Sequence, residues 1–298
     1  MKNVQDVIFI ENIVSDIEDI YKNHMLNKGL EPKNNGYFFF QYMNFIERNI
    51  SNRSRKILES SRFEIPIENK KGYEQLKKEI IAGNDINSYQ SNELFNPQFV
   101  DKLFNFEGLV HLHLGEKLTL NKSKTRTYIE RTKNVAIALI TDEKVYFISV
   151  QPHGKGYGNK TWVNKEYLEV LAIEFPEIIK NRIIKEEGDN FDFETIRKCR
   201  DLGINYSTKV NELETYRNLP VMVGIGPIKV EHRIKLDKIN EYVKNWVERV
   251  KEKIRDKEEK GTYQINLIEM TREENGFPDK LIFKILKDGK EYGEYEIS

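Results

Sequence analysis

The chain is poor in thiols, in long apolar runs and in net charge, and each shortage excludes something. Its single cysteine, Cys199, forbids an internal disulfide and a zinc site built from several thiolates. It fits a reducing compartment. No stretch is long and apolar enough to cross a bilayer, and the segment Tyr37-Phe38-Phe39-Phe40 is too short. Residues 1–12 lack the basic start and continuous apolar stretch of a secretory leader. The expectation is a soluble, cytoplasmic protein with no membrane partner. Lysine plus arginine number 48 and so do aspartate plus glutamate, so the formal net charge is zero. That argues against a generic basic coat for nucleic acid, though not against a local basic groove.

At 298 residues the chain is long enough for one large or two ordinary domains. Periodicity predicts an α+β fold in three parts. Residues 1–95 read as helical: Ile10, Ile13, Val14, Ile17, Ile20 and Tyr21 recur at helical spacing, and Gly29 and Pro32 end that helix. Residues 37–50 read as a buried helix and 73–82 as an amphipathic one closed by Gly83. Residues 96–230 form the expected catalytic core, a small, mostly antiparallel sheet with helices. Its strands are expected at 109–114, 135–140 and 145–150, the last two joined as a hairpin by Thr141-Asp142-Glu143-Lys144. A helix at 164–175 should stop at Pro176, and another should span 193–200. A short strand is expected at 220–224. Residues 231–298 carry a long helix, about 236–260, then a β-meander at 263–270, 281–286 and 291–297. Asp288-Gly289 is a hairpin turn between the last two. The helix stripe Leu236, Ile239, Val243, Trp246, Val250 and Ile254 is nearly a heptad seam, facing the core or a second copy of the chain.

Histidines carry the chemistry. Three of the five fall close together: His111 and His113 two apart on an expected strand, and His153 just after another. Side chains two apart on a strand share a face, so the first two point the same way. Three readings follow. The rings line the solvated side of a half-buried strand. Or they bind a divalent transition metal, His111, His113 and His153 giving nitrogen and Glu116 adding a carboxylate, in a hydrolase- or oxygenase-like site. This set looks superficially like the His-x-His…Glu of cupins, but the spacing to Glu116 and the missing strand glycines depart from it. Or they cleave RNA with no cofactor: His111 or His113 and His153 as acid and base, Arg126 or Arg131 against the developing charge, and Tyr128 placing the phosphate. Lys122, Lys124, Lys133, Lys155 and Trp162 would bind substrate, Trp162 standing at the far end of the glycine-rich loop 154–160. A solvated lysine-rich loop is the plain alternative for 122–133, and an ordinary surface loop for 154–160. His24, His232 and Cys199 read as structural.

The order His-Leu-His-Leu-Gly, a basic spacer, an apolar strand, Tyr146-Phe147-Ile148, His153-Gly154 and Trp162 resembles bacterial toxin and phage-defence proteins. Some of those resemble the compact RNase fold shared by RelE-like, barnase-like and EndoU-like toxins. The resemblance covers about residues 106–176. It implies a metal-independent endoribonuclease acting as a toxin or anti-phage effector, with RNA as substrate and a protein inhibitor or defence-system partner. The non-enzymatic alternative is a subunit of a defence assembly.

Overall fold

A computed structural model describes residues 7–34, 37–120, 126–153, 161–186, 188–212, 214–222, 228–257, 259–272 and 278–297. The fold is α+β, and the chain divides into two compact units. One comprises residues 1–43 with 231–298, the other 44–230. The break after residue 230 coincides with an expected boundary, whereas the other break falls after residue 43 and not at 95. The N-terminal section is shared between the units, because its first strand pairs with a strand far down the chain.

In the first unit the sheet order is Val7–Glu11, Gly261–Arg272, Pro278–Lys287, Lys290–Ile297. The first pair is parallel and the rest antiparallel. Asp288 (φ 49°) and Gly289 (φ 78°) make the tight turn of the last hairpin, as their sequence foretold. The helix Ile13–Asn27 buries Ile13, Ile17, Ile20, Tyr21 and Met25. The long helix runs Val230–Arg255, starting and ending earlier than expected. Its buried stripe is Leu236, Ile239, Val243, Val247, Val250 and Ile254. Val247, rather than Trp246, holds the seam position. Trp246 is half-buried beside it, with the Arg249 guanidinium 4.3 Å from its ring centre.

The second unit is built on a four-stranded sheet in the order Lys56–Glu59, Lys144–Pro152, Asn134–Ile140, Leu109–His113. The short edge strand Lys56–Glu59 runs parallel to its neighbour, and the other pairings are antiparallel. Residues 1–95 are therefore not wholly helical; Val7–Glu11 and Lys56–Glu59 are strands whose pairing partners lie outside that segment. Alternation splits the sheet into two faces. Val110, Leu112, Ala136, Ala138 and Phe147 pack with Tyr73, Leu76 and Ile80 of the helix Lys70–Ala82. Leu109, Val135, Ile137 and Leu139 pack with Tyr167, Leu168 and Leu171 of the helix Glu166–Glu174. Each fully buried Leu or Ile contributes about 1.5–3 kcal/mol, so the sheet is clamped from both sides. Both sides being covered explains why 135–139 reads as a continuous apolar run.

Two glycines fix the frame. Gly72 lets the helix Lys70–Ala82 lie against the end of the histidine strand: a Cβ there would sit 2.0 Å from the Leu114 carbonyl oxygen. Gly108 (φ 75°) closes the helix Lys102–Glu107 and turns the chain directly into Leu109–His113. Pro176 does end the helix Glu166–Glu174, but it also opens a further helical turn, Pro176–Ile179, since proline suits a first helical position. The helix Phe193–Leu202 lies where expected; the expected strand 220–224 is described only as Val221–Met222.

Candidate metal centre

The histidine strand is fully buried along its five residues. His111 pairs across the sheet with Ile137 and His113 with Val135; those residues oppose Ser149 and Gln151 on the next strand. His111 and His113 therefore stand on the face of Leu109, Val135 and Ile137. His153 follows Gln151 by two residues, and its backbone N–H donates to the Lys133 carbonyl at 2.6 Å, extending the ladder past the strand end. That extension carries the third ring back over the first two.

The three rings meet. Ring centres are 5.9 Å apart for His111–His113, 5.8 Å for His111–His153 and 5.2 Å for His113–His153. One nitrogen from each lies within 4.8 Å of the others. Ligands at zinc-like distances around one ion sit about 3.3 Å apart, so nitrogens within 4.8 Å of one another would draw closer on binding it. Trp162 caps it, its ring centre 4.8 Å from that of His111 and 5.2 Å from that of His153.

Burial, with help from neighbouring charge, disfavours protonation of the trio. Burial pushes the His111 imidazole down to about 3, helped by His153 and Arg131. Burial pushes His113 down to about 3 as well, helped by His111, His153 and Arg131. His153 is lowered by burial and by Arg131. A neutral imidazole keeps a lone pair for an ion. His113 is only 1% exposed, and neither of its ring nitrogens has a hydrogen-bond partner among the described residues. An orphaned buried polar group costs about 1–3 kcal/mol, and coordination to an ion would relieve it. The donor set is nitrogen only, which suits zinc, copper, nickel or iron better than magnesium or calcium.

The other expected site residues scatter. Glu116 is exposed, bordering a depression with Lys70, Lys71, Glu74 and Lys78, and does not join the histidine set. After His113, Gly115 packs on Glu130, and the Glu116 amide donates to the Glu130 carboxylate. Those contacts hold Glu116 away from the rings. Arg126 lies with its guanidinium 3.9 Å from the Phe95 ring centre. Tyr128 sits on the ribbon Leu118–Leu120/Thr127–Ile129, its carbonyl accepting from Thr119. Lys133 is exposed and serves the site through its backbone. Arg131 is exposed, and its charge reaches all three imidazoles. Lys122, Lys124, Lys155 and the loop 154–160 lie outside the described residues.

Sequence reasoning missed the support beneath Trp162. Arg200 donates to the Trp162 carbonyl, to Glu107 Oε1 at 2.6 Å and to the Tyr206 hydroxyl at 3.1 Å. Tyr206 in turn donates to Glu107. Burial works to lower the Arg200 pKa, but Glu107 and Tyr206 outweigh it and hold it above the ordinary value. Glu107 and Arg200 lie 93 positions apart, so no local pattern signals the pair. A cavity of about 190 Å³ opens beside this support, with His111, Trp162 and Leu103 in its wall. Compared with family models, with curated proteins and with solved structures, the chain matches none of them.

Proposed function

We propose that this chain is a metal-dependent enzyme whose centre is His111, His113 and His153. The observation that carries the reading is the convergence of three imidazoles, one of them buried with both nitrogens unpartnered among the described residues. A zinc ion held by three protein nitrogens would have room for water or substrate, as catalytic rather than structural zinc sites do. It would act as a Lewis acid and lower the pKa of bound water to about 7, which would support hydrolytic chemistry; iron in the same ligands would support oxygen chemistry instead. Trp162 shields the site from bulk water, and Arg200 fixes Trp162. Elemental analysis of purified protein tests this. Near one equivalent of a transition metal in the wild type, lost in His113→Ala and His153→Ala, is expected. Protein that stays metal-free after incubation with zinc, iron, copper and nickel salts would overturn it.

One observation favours a second reading, RNA cleavage by a toxin or anti-phage effector: Arg131 places a cation near all three rings. That mechanism needs one imidazolium as acid near neutral pH, and burial works against it at His111 and His113. RNA cleavage that survives chelator and is lost in His111→Ala would favour this reading, and with it an RNA substrate and a protein inhibitor.

A further inference from the structure

We propose that the cavity beside His111 binds a single uncharged ring, aromatic or alicyclic, and so sets the substrate class of the site. The catalytic meaning rests on the metal-centre reading; the binding does not.

The exposed surface of the wall is mostly apolar. Phe99, Val100, Leu103, Trp162 and Val163 line it together with charged neighbours, and His111 is the one imidazole of the trio among the lining residues. The volume is about 190 Å³; an apolar cavity of about 150 Å³ accommodates benzene. One ring with a short substituent therefore fits.

The charged groups at the wall are already matched. Lys102 and Arg197 both pair with Asp201, at 2.5 and 2.6 Å. Arg200 pairs with buried Glu107 at 2.6 Å. Asp101 accepts from the Phe104 amide at 3.0 Å, capping the short helix, and burial raises its pKa. A charged ligand would enter without a counter-ion and lose its hydration, which costs far more than burying an apolar ring. A neutral ring gains the apolar wall and the face or edge of Trp162.

The geometry also places the ligand. Gly108 joins the helix bearing Leu103 to the strand bearing His111, so floor and metal ligand are held by one turn. His111 is both in the cavity wall and in the histidine set, so a ring in the cavity would lie beside that imidazole.

Toluene and benzoate are matched probes, one neutral and one charged. Their binding to the full chain is read by ligand-observed NMR and calorimetry. Toluene should bind the wild type at least tenfold more tightly than benzoate. Leu103→Trp and Val163→Phe each fill the cavity and should weaken toluene at least tenfold, circular dichroism confirming which is folded. His113→Ala, which lies outside the wall, should keep toluene binding while losing metal. Toluene that fails to bind the wild type, or that binds folded Leu103→Trp or Val163→Phe equally well, overturns the proposal. So does benzoate binding as tightly as toluene. Toluene binding to a protein that takes up no metal leaves the pocket standing and removes only the metal reading.

Discussion

His113→Leu should make the metal-free protein more stable and the metal-loaded protein less so. The neutral imidazole of His113 carries one donor and one acceptor, and both lie buried without a described partner. Each orphaned group costs about 1–3 kcal/mol, so roughly 2–6 kcal/mol is held in the metal-free fold. Leucine removes both groups at similar size, and its different shape returns about 1–3 kcal/mol of strain. The net expectation is a metal-free variant more stable by about 1–3 kcal/mol. Metal reverses the order. With free metal at about a thousand times its dissociation constant, the wild type gains about 4.1 kcal/mol, and the variant gains almost nothing. Urea unfolding, monitored by tryptophan fluorescence with chelator and then with zinc, measures both arms. A variant destabilised by 2 kcal/mol or more in chelator would refute the reasoning, since it would mean that the ring makes useful hydrogen bonds. A variant that kept the wild-type response to zinc would refute the ligand assignment.

Three further outcomes are expected. Glu107→Ala leaves the Arg200 charge buried with its partner gone, a loss of about 3–5 kcal/mol; chemical denaturation should show it, and Glu107→Gln should lose less because an amide oxygen still accepts from Arg200. Gly72→Ala would ordinarily favour a helix by up to about 1 kcal/mol; here the new Cβ meets the Leu114 carbonyl at 2.0 Å, so the denaturation midpoint should fall and metal affinity with it, because Leu114 adjoins His113. Gly289→Val forces a β-branched residue into φ 78° and should cost the C-terminal hairpin about 1–2 kcal/mol by amide hydrogen exchange, leaving metal content unchanged.

Where a short segment decides its own conformation, the sequence was enough. The hairpin from Asn134–Ile140 to Lys144–Pro152 was legible because its strands are adjacent and its turn is local. The helix Lys70–Ala82 showed its stripe and its Gly83 stop, and Asp288-Gly289 named its own turn. The shared face of His111 and His113 followed from alternation alone. That much holds for any chain, because φ and ψ preferences and side-chain period act over a few residues.

Tertiary structure decided the rest, because it depends on partners distant in sequence. Val7–Glu11 looked like the start of a helix until pairing with Gly261–Arg272 drew it into a sheet. Trp246 yielded the seam to Val247 once the helix chose which side to bury. Glu116, three residues from His113, is held off by the contacts of Gly115 and Glu116 with Glu130, while His153, forty positions away, is brought in by the ladder at Lys133. Arg200 and Glu107, 93 positions apart in sequence, are brought together beneath Trp162 by the fold. Spacing told which residues could share a face; long-range packing alone determined which faces met.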